Sequence, residues 1–309
     1  MEGNFSPVLL FVYNRPDKTA EVLNSINNLN ETSYTDLFIY SDGYKEDNDM
    51  SKESVLAVRT LLERFKQETR FRETNIIYSA ENKGLAKSII DGVSEVISRY
   101  GSVIVLEDDL VVASDFLRYM NGALNYYKDK SSIWSVSAYT FPMNALKSYK
   151  HDVYISGRAC SWGWATWLDR WNTIDWDVHG YRKFKHSIKQ RYLFSKWGKD
   201  LPTMLDAYMF GEIKSWAIRW CYAAFLQNKY TIYPVESRIL NTGTDGSGTN
   251  FTKKETRYNT TLIKDPIECN FEMVTVNRTI RKEFSCNFTS TLQLWKMRIR
   301  WFYKRLINK

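Results

Sequence analysis

The sequence predicts an α/β fold in which a mostly parallel sheet is flanked by helices. Three observations carry that expectation. Four short apolar runs, several rich in β-branched residues, alternate with three amphipathic segments between residues 8 and 109. Such runs read as strands buried on both faces, and strand–helix alternation implies a parallel sheet with right-handed crossovers. The last run, Val103-Ile104-Val105-Leu106, passes directly into Glu107-Asp108-Asp109. Three carboxylates cannot be buried unpaired, so they belong at the sheet edge, where the carboxyl ends of strands in open α/β sheets bind ligands.

Taken in order, residues 8–13 form the first strand, and Asn14-Arg15-Pro16-Asp17 stops it. Pro16 holds Arg15 extended and suits a helix start. Residues 18–29 then place Val22, Leu23, Ile26 and Leu29 on one helical face. A second strand at 36–40 ends in Ser41-Asp42-Gly43, and a charged amphipathic helix covers 51–69. A third strand at 75–79 precedes Glu81-Asn82-Lys83-Gly84 and a helix over 85–100. Arg15, Asp42, the Glu81–Gly84 cluster and the Glu107 cluster thus stand at equivalent strand ends, which suits one nucleotide-binding rim.

Beyond the acids, 115–128 reads as a helix and 133–137 as a strand. Residues 156–167 are rich in Gly and Trp, and Trp171 and Trp176 follow. Glycines between tryptophans let a backbone approach a ligand beneath aromatic walls, or simply pack beside a turn. Residues 181–197 are basic and helical in pattern. A helix around Glu212 carries Trp216, Ile218 and Trp220, and a strand follows at 230–234. Residues 241–250 hold three glycines among small polar residues, a composition that suits a closing loop or a plain connector.

With 309 residues and 44% hydrophobic content, the chain can bury a large core. Its four cysteines contain no CxxC pair, which argues against a zinc site and points to reduced thiols. No basic, apolar leader precedes the first strand, and no segment reaches about 18 consecutive apolar residues. A cytoplasmic or peripheral protein is expected. Six of the eight net positive charges fall in the acid-free stretch 284–309. There Leu292, Trp295, Ile299, Phe302 and Leu306 follow helical spacing, with cations mostly between them. A basic amphipathic helix of this kind suits an anionic membrane surface, although residues 295–301 also alternate like a strand and a helix docked on the body would look similar. The charge alone would also fit nucleic acid, but no nucleic-acid motif accompanies it, so no nucleic-acid partner is expected.

A divalent metal carrying a phosphorylated ligand is the simplest partner for the acids at 107–109, with a solvated acidic turn as the plain alternative. GxGxxG and GxxxxGK[ST] loops are both absent, so a phosphate-binding role would need that metal.

At this point the chain is similar to glycosyltransferases of the GT-A (Rossmann-like) fold. It more closely resembles the inverting family of eukaryotic N-acetylglucosaminyltransferase I and related bacterial sugar transferases. The resemblance rests on Val103 to Leu110 followed by Ala113-Ser114-Asp115-Phe116, then Ser135-Val136-Ser137-Ala138 and Trp162-Gly163-Trp164 with Trp171. Asn14-Arg15-Pro16 and Ser41-Asp42 also fit, and the match runs in order over residues 7–250, loosely after 171. It implies that Asp109 ligates Mn²⁺ or Mg²⁺ on the donor diphosphate, that Asp108 contacts the ribose, and that Glu107 contacts the donor sugar. It also implies Asp42 at the uracil and Arg15 at the nucleotide or its phosphates. Asn82, Gly84 and Trp164 complete the expected donor pocket.

Inverting transfer needs a further carboxylate to take the acceptor's proton. Where the related transferase has Asp before a Trp, this chain has Ser215 before Trp216, with Arg219 kept. Glu212, one helical turn earlier, is the chosen general base, with Asp206 and Asp245 as further candidates. The expected organisation is a transferase domain over 1–255, with a nucleotide-sugar half at 1–125 and an acceptor half at 126–255. A C-terminal extension covers 256–309. The expected activity is transfer from a UDP-sugar, UDP-GlcNAc among the candidates, to a saccharide acceptor. That acceptor would be polyprenyl-diphosphate-linked, as in bacterial surface polysaccharide assembly at the inner membrane face. Two other functions stay open: a nucleotide-sugar-binding subunit without catalysis, suggested by Ser215, and a nucleotidyltransferase, disfavoured by the absence of an N-terminal glycine-rich loop.

Overall fold

The computed structural model describes residues 5–46, 48–245, 258–264, 266 and 268–288. β1 (Val8–Val12), β2 (Asp36–Ser41), β3 (Glu73–Tyr78) and β4 (Ser102–Glu107) are the four strands read from the apolar runs. α1 (Pro16–Asn27), α2 (Asp49–Glu68) and α3 (Leu85–Tyr100) connect them. All four pair in parallel in the order β3-β2-β1-β4. β1 is buried at all five positions, and its neighbours cover both faces. Leu10 packs on the α1–α2 side and Leu9 on the α3 side, as the two-residue period of a strand requires.

The remaining elements are β5 (Leu110–Val112), α4 (Phe116–Tyr127), β6 (Ile133–Ser137), β7 (Val153–Ser156), β8 (Trp164–Trp167), α5 (Leu168–Trp171), α6 (Tyr181–His186), α7 (Ile188–Ser195), α8 (Leu201–Met209), α9 (Trp216–Leu226), β9 (Tyr230–Pro234), β10 (Ile239–Asn241) and α10 (Arg278–Cys286). The eight-stranded sheet continues β4-β8-β6-β9-β7, and β8 runs antiparallel to both β4 and β6. The fold is therefore α/β, with a large, mostly parallel sheet between helical layers. α1, α2, α4 and α10 cover one face, and α3 with α5, α6, α7, α8 and α9 covers the other. On the first face, Phe271 fills the space left by Gly122, and the Glu283 carboxylate accepts the N–H groups of Asn144 and Ala145 at 2.7 and 2.9 Å.

Three expectations change here. The basic stretch 181–197 is two helices, because the Ser187 side chain caps α7 by accepting the Gln190 N–H at 3.2 Å. The Gly/Trp-rich stretch supplies a central strand, β8. The helix expected around Glu212 begins only at Trp216. The amphipathic tail at 292–306 and residues 246–250 lie outside the described residues. Among the described residues no helix is long and apolar enough to cross a membrane.

Candidate active site

The register Phe11↔Glu107 brings the ends of β1 and β4 to one sheet edge. Pro16 turns the chain into α1 immediately beyond β1, leaving Arg15 outside the helical region at φ −123° and ψ 78° on the helix threshold. From there one guanidinium nitrogen, Nη2, donates to both the Asp108 carboxylate and Asp109 Oδ2, the latter at 2.9 Å. The Tyr13 N–H also points at Asp108, at 3.4 Å. The arrangement joins three of the expected site residues, Arg15, Asp108 and Asp109, directly, with Glu107 at the strand end beside them.

Three carboxylates facing one guanidinium leave an excess of negative charge. Burial first, then Asp109 and Asp108, push the Glu107 carboxyl well above the usual carboxylate range, with Arg15 opposing. Burial raises Asp108 as well, and Arg15 offsets only part of it. Burial works against the charge on Arg15, but Asp108 and Asp109 outweigh it and raise its pKa. Such a cluster suits a further cation. Asp109 is the more open of the paired acids, with its side chain 16% exposed against 6% for Asp108. Among the described residues no group of three or more His, Cys, Asp or Glu is placed to hold a metal alone. Asp109 offers a hard oxygen donor of the kind that Mn²⁺ and Mg²⁺ take, so any such ion would have to draw its other ligands from bound oxygens.

A second wall comes from far along the chain. β5 follows the acids and pairs antiparallel with β10, Leu110 opposite Asn241. The ribbon is tied down by the Ala113 N–H donating to the Arg238 carbonyl at 2.9 Å and by the buried Arg238–Asp115 pair at 3.3 Å. Thr242 N–H then donates to the Asp109 carbonyl at 2.8 Å. Gly243 lies so close that a Cβ would run into the Asp109 carboxylate and come within 3.1 Å of Arg15 Nη1. The start of the glycine-rich stretch thus covers the acidic cluster, and a side chain at 243 would have to displace the Asp109 carboxylate. From the sequence, Thr242 and Gly243 belong to the 241–250 stretch, a closing loop or a plain connector, but are not placed against Asp109. The Asn-Thr-Gly step after a short apolar pair was the available signal.

Asp42, Asn82 and Gly84 form one clamp between the loops after β2 and β3. The Asp42 carboxylate accepts the N–H groups of Gly43, Lys83 and Gly84, each at 2.9 Å. The Asn82 side chain donates to the Gly43 carbonyl at 2.8 Å. Three of about four acceptor positions on Asp42 are therefore used by its own loops. Gly84, at φ +74°, opens α3 at this rim.

Trp164 corrects the sequence reading. It lies opposite Val105 and is 0% exposed, inside a cluster with Trp171, Trp216 and Trp220 at centroid distances of 5.8, 5.2 and 4.3 Å. It packs the core behind the acidic rim and has no face to offer a donor.

The general-base region is corrected too. Ser215 is the N-cap of α9, accepting the Ile218 N–H at 3.3 Å. Glu212 is exposed on the α8–α9 loop, where Gly211 at φ +73° ends the preceding helix, so it does not share a helical turn with Ser215. Asp206 is buried, forked by Arg191 at 2.8 and 2.6 Å and bonded by the Tyr181 hydroxyl at 2.9 Å. It is a structural anion and no candidate base. Trp216 packs at a tilt against Trp164, which neighbours the end of β4, so the start of α9 lies behind the same rim.

No family model matches the chain, and no curated protein sequence matches it. Among solved structures it is similar to a mannosyltransferase from Pyrobaculum calidifontis in complex with GDP-mannose and Mn²⁺, at TM-score 0.38 and 13% identity, over 53% of this chain and 46% of that one. It is similar to TarS of S. aureus at TM-score 0.29 and 12% identity, over 42% and 21%. A cytidylyltransferase from Leptospira borgpetersenii gives TM-score 0.33 and 10% identity, over 56% and 64%. The chain thus spans less than two thirds of each, and the functional reading rests on the residues of the site.

Proposed function

We propose that this protein is a metal-dependent glycosyltransferase that uses a nucleotide-sugar donor. The observation that carries the reading is the Arg15–Asp108–Asp109 cluster at the carboxyl ends of parallel strands, with Gly243 packed against Asp109. An unpaired acidic turn would have no reason to recruit a cation and a glycine loop from opposite ends of the chain.

In this reading Asp109 holds the metal, Arg15 aligns Asp109 and Asp108 and meets the donor's phosphates, and Asp108 meets the ribose. Glu107 meets a hydroxyl of the donor sugar. The Asp42 clamp shapes the pocket for a uracil base, with Asn82 and Gly84 at its margin. The metal, when bound, would supply charge neutralisation to the leaving diphosphate. Inverting transfer forms the bond from the acceptor oxygen to the anomeric carbon as the bond to the diphosphate breaks. The acceptor's proton passes to Glu212, the base we assign on the α8–α9 loop. UDP-GlcNAc as donor and a polyprenyl-diphosphate-linked saccharide as acceptor belong to the same proposal, as does attachment to the inner membrane face.

A thermal-shift screen of UDP-, GDP- and dTDP-sugars with and without Mn²⁺ tests it: stabilisation by UDP-sugars that needs the metal is expected. No stabilisation by any nucleotide-sugar would overturn the reading. Glu212→Gln should retain that shift and lose transfer. Ser215 as a plain helix cap also suits a donor-binding subunit without catalysis, and donor binding with no UDP release over long incubation would select that reading.

A further inference from the structure

The α6–α7 hairpin presents a surface that sugar transfer leaves unused. Between His179 and Lys199 the chain carries seven Lys and Arg residues and no Asp or Glu. Its inner side is fixed. Phe184 and Phe194 are fully buried against Tyr222, at centroid distances of 5.0 and 5.8 Å, and Arg191 turns inward onto Asp206. The outer side differs in kind. Arg182, Lys183, Lys189 and Lys199 are exposed there. On α7, beside Lys189, Ile188 is 86% exposed and Tyr192 63% exposed. Ile188 and Tyr192 are one helical turn apart and share a face. An open hollow of about 550 Å³ adjoins them, lined by His179, Gly180, Arg182, Lys183, His186 and Ser187, with the Asp175 carboxylate at its edge, bonded to His179 at 2.9 Å.

We propose that this face docks on an anionic lipid bilayer. Lipid phosphates would sit against Arg182, Lys183 and Lys189, with the hollow taking one of them, while Ile188 and Tyr192 enter the headgroup–acyl boundary. Each cation near an anionic membrane surface is worth about a five-fold gain in affinity. The exposed apolar pair decides between lipid and other polyanions. A nucleic acid or soluble polyphosphate gains from the cations but nothing from isoleucine, whereas a bilayer gains from both. The surface lies entirely within the described residues. It holds whether or not the sugar-transfer reading does.

Co-sedimentation of the full chain with vesicles of phosphatidylcholine, alone or mixed with phosphatidylglycerol, tests it. Heparin-column retention serves as the polyanion control. Binding is expected only with phosphatidylglycerol present. Replacing Arg182, Lys183 and Lys189 by Gln should weaken it on the order of a hundred-fold. Ile188→Ser with Tyr192→Ser should weaken vesicle binding several-fold and leave heparin retention unchanged. The substituted side chains are solvent-facing, and an unchanged melting temperature would establish that both variants fold. Wild-type vesicle affinity in either variant would overturn the proposal, as would loss of heparin retention in the Ile188/Tyr192 variant.

Discussion

Removing the Arg15 guanidinium should destabilise the whole molecule as well as its site. Arg15→Ala leaves Asp108, which is 4% exposed, buried without its cation. Breaking a buried pair from one side is destabilising by about 3–5 kcal/mol. Because the Arg15 side chain keeps 23% exposure, the lower end applies, about 3 kcal/mol. With a urea dependence near ~3 kcal/mol per molar, the unfolding midpoint should fall by about 1 M at pH 7. The sign with pH follows from the same cause. Without Arg15, burial raises the folded-state pKa of Asp108 further above its unfolded value. The deficit is then largest above that raised pKa and shrinks as acidification protonates the carboxyl. Arg15→Met combined with Asp108→Asn, which removes both charges and keeps most of the volume, should recover most of the loss. Equilibrium urea unfolding at several pH values reads all of this. A midpoint unchanged in Arg15→Ala at pH 7, or a deficit that grows on acidification, would refute the view that this guanidinium neutralises the rim.

Gly243→Ala forces a methyl group into the Asp109 carboxylate, so metal-dependent UDP binding should weaken by about ten-fold, or ~1.4 kcal/mol, with little change in melting temperature; calorimetric titration measures the first and thermal unfolding the second. Trp164→Ala should destabilise by about 3–5 kcal/mol in urea unfolding, because it empties a fully buried site among three other tryptophans. Trp164→Phe should leave UDP affinity unchanged, which a donor-lining tryptophan would not do. The raised Glu107 pKa means that its contribution to stability is full below the unfolded value and lost as pH rises through the folded one. In the absence of metal, Glu107→Gln should therefore flatten the decline in stability with rising pH, measured by thermal unfolding across that range.

The parallel half of the fold was legible because β1, β2 and β4 are buried along nearly their whole length, with only β3 at the part-exposed sheet edge, and each helix shows one apolar stripe. Those patterns placed β1 to β4 and α1 to α3 within a few residues. The acids at 107–109 and Arg15 were legible for the same reason, since polar residues at strand ends have few places to go. The antiparallel half was not. β8 is a Trp-Ala-Thr-Trp strand buried among other tryptophans, and its composition resembles a ligand wall as much as a core. β5 and β10 have three residues each, too few to show a period, so the contact of Gly243 with Asp109 could not be read locally. Ser215 and Glu212 were misplaced relative to each other because apolar spacing cannot fix where a helix begins. The Ser215 cap does that, and it leaves Glu212 on the loop.

Calorimetric titration of UDP into the wild type and Asp109→Asn, each with and without Mn²⁺, tests the central claim most directly. The wild type should bind UDP with metal and lose that binding when the metal is removed. Asp109→Asn should fold normally and bind UDP weakly in both conditions. Equal UDP affinity in the two proteins with Mn²⁺ present would contradict the assignment of Asp109 and, with it, the reading of the acidic rim as a metal–nucleotide site.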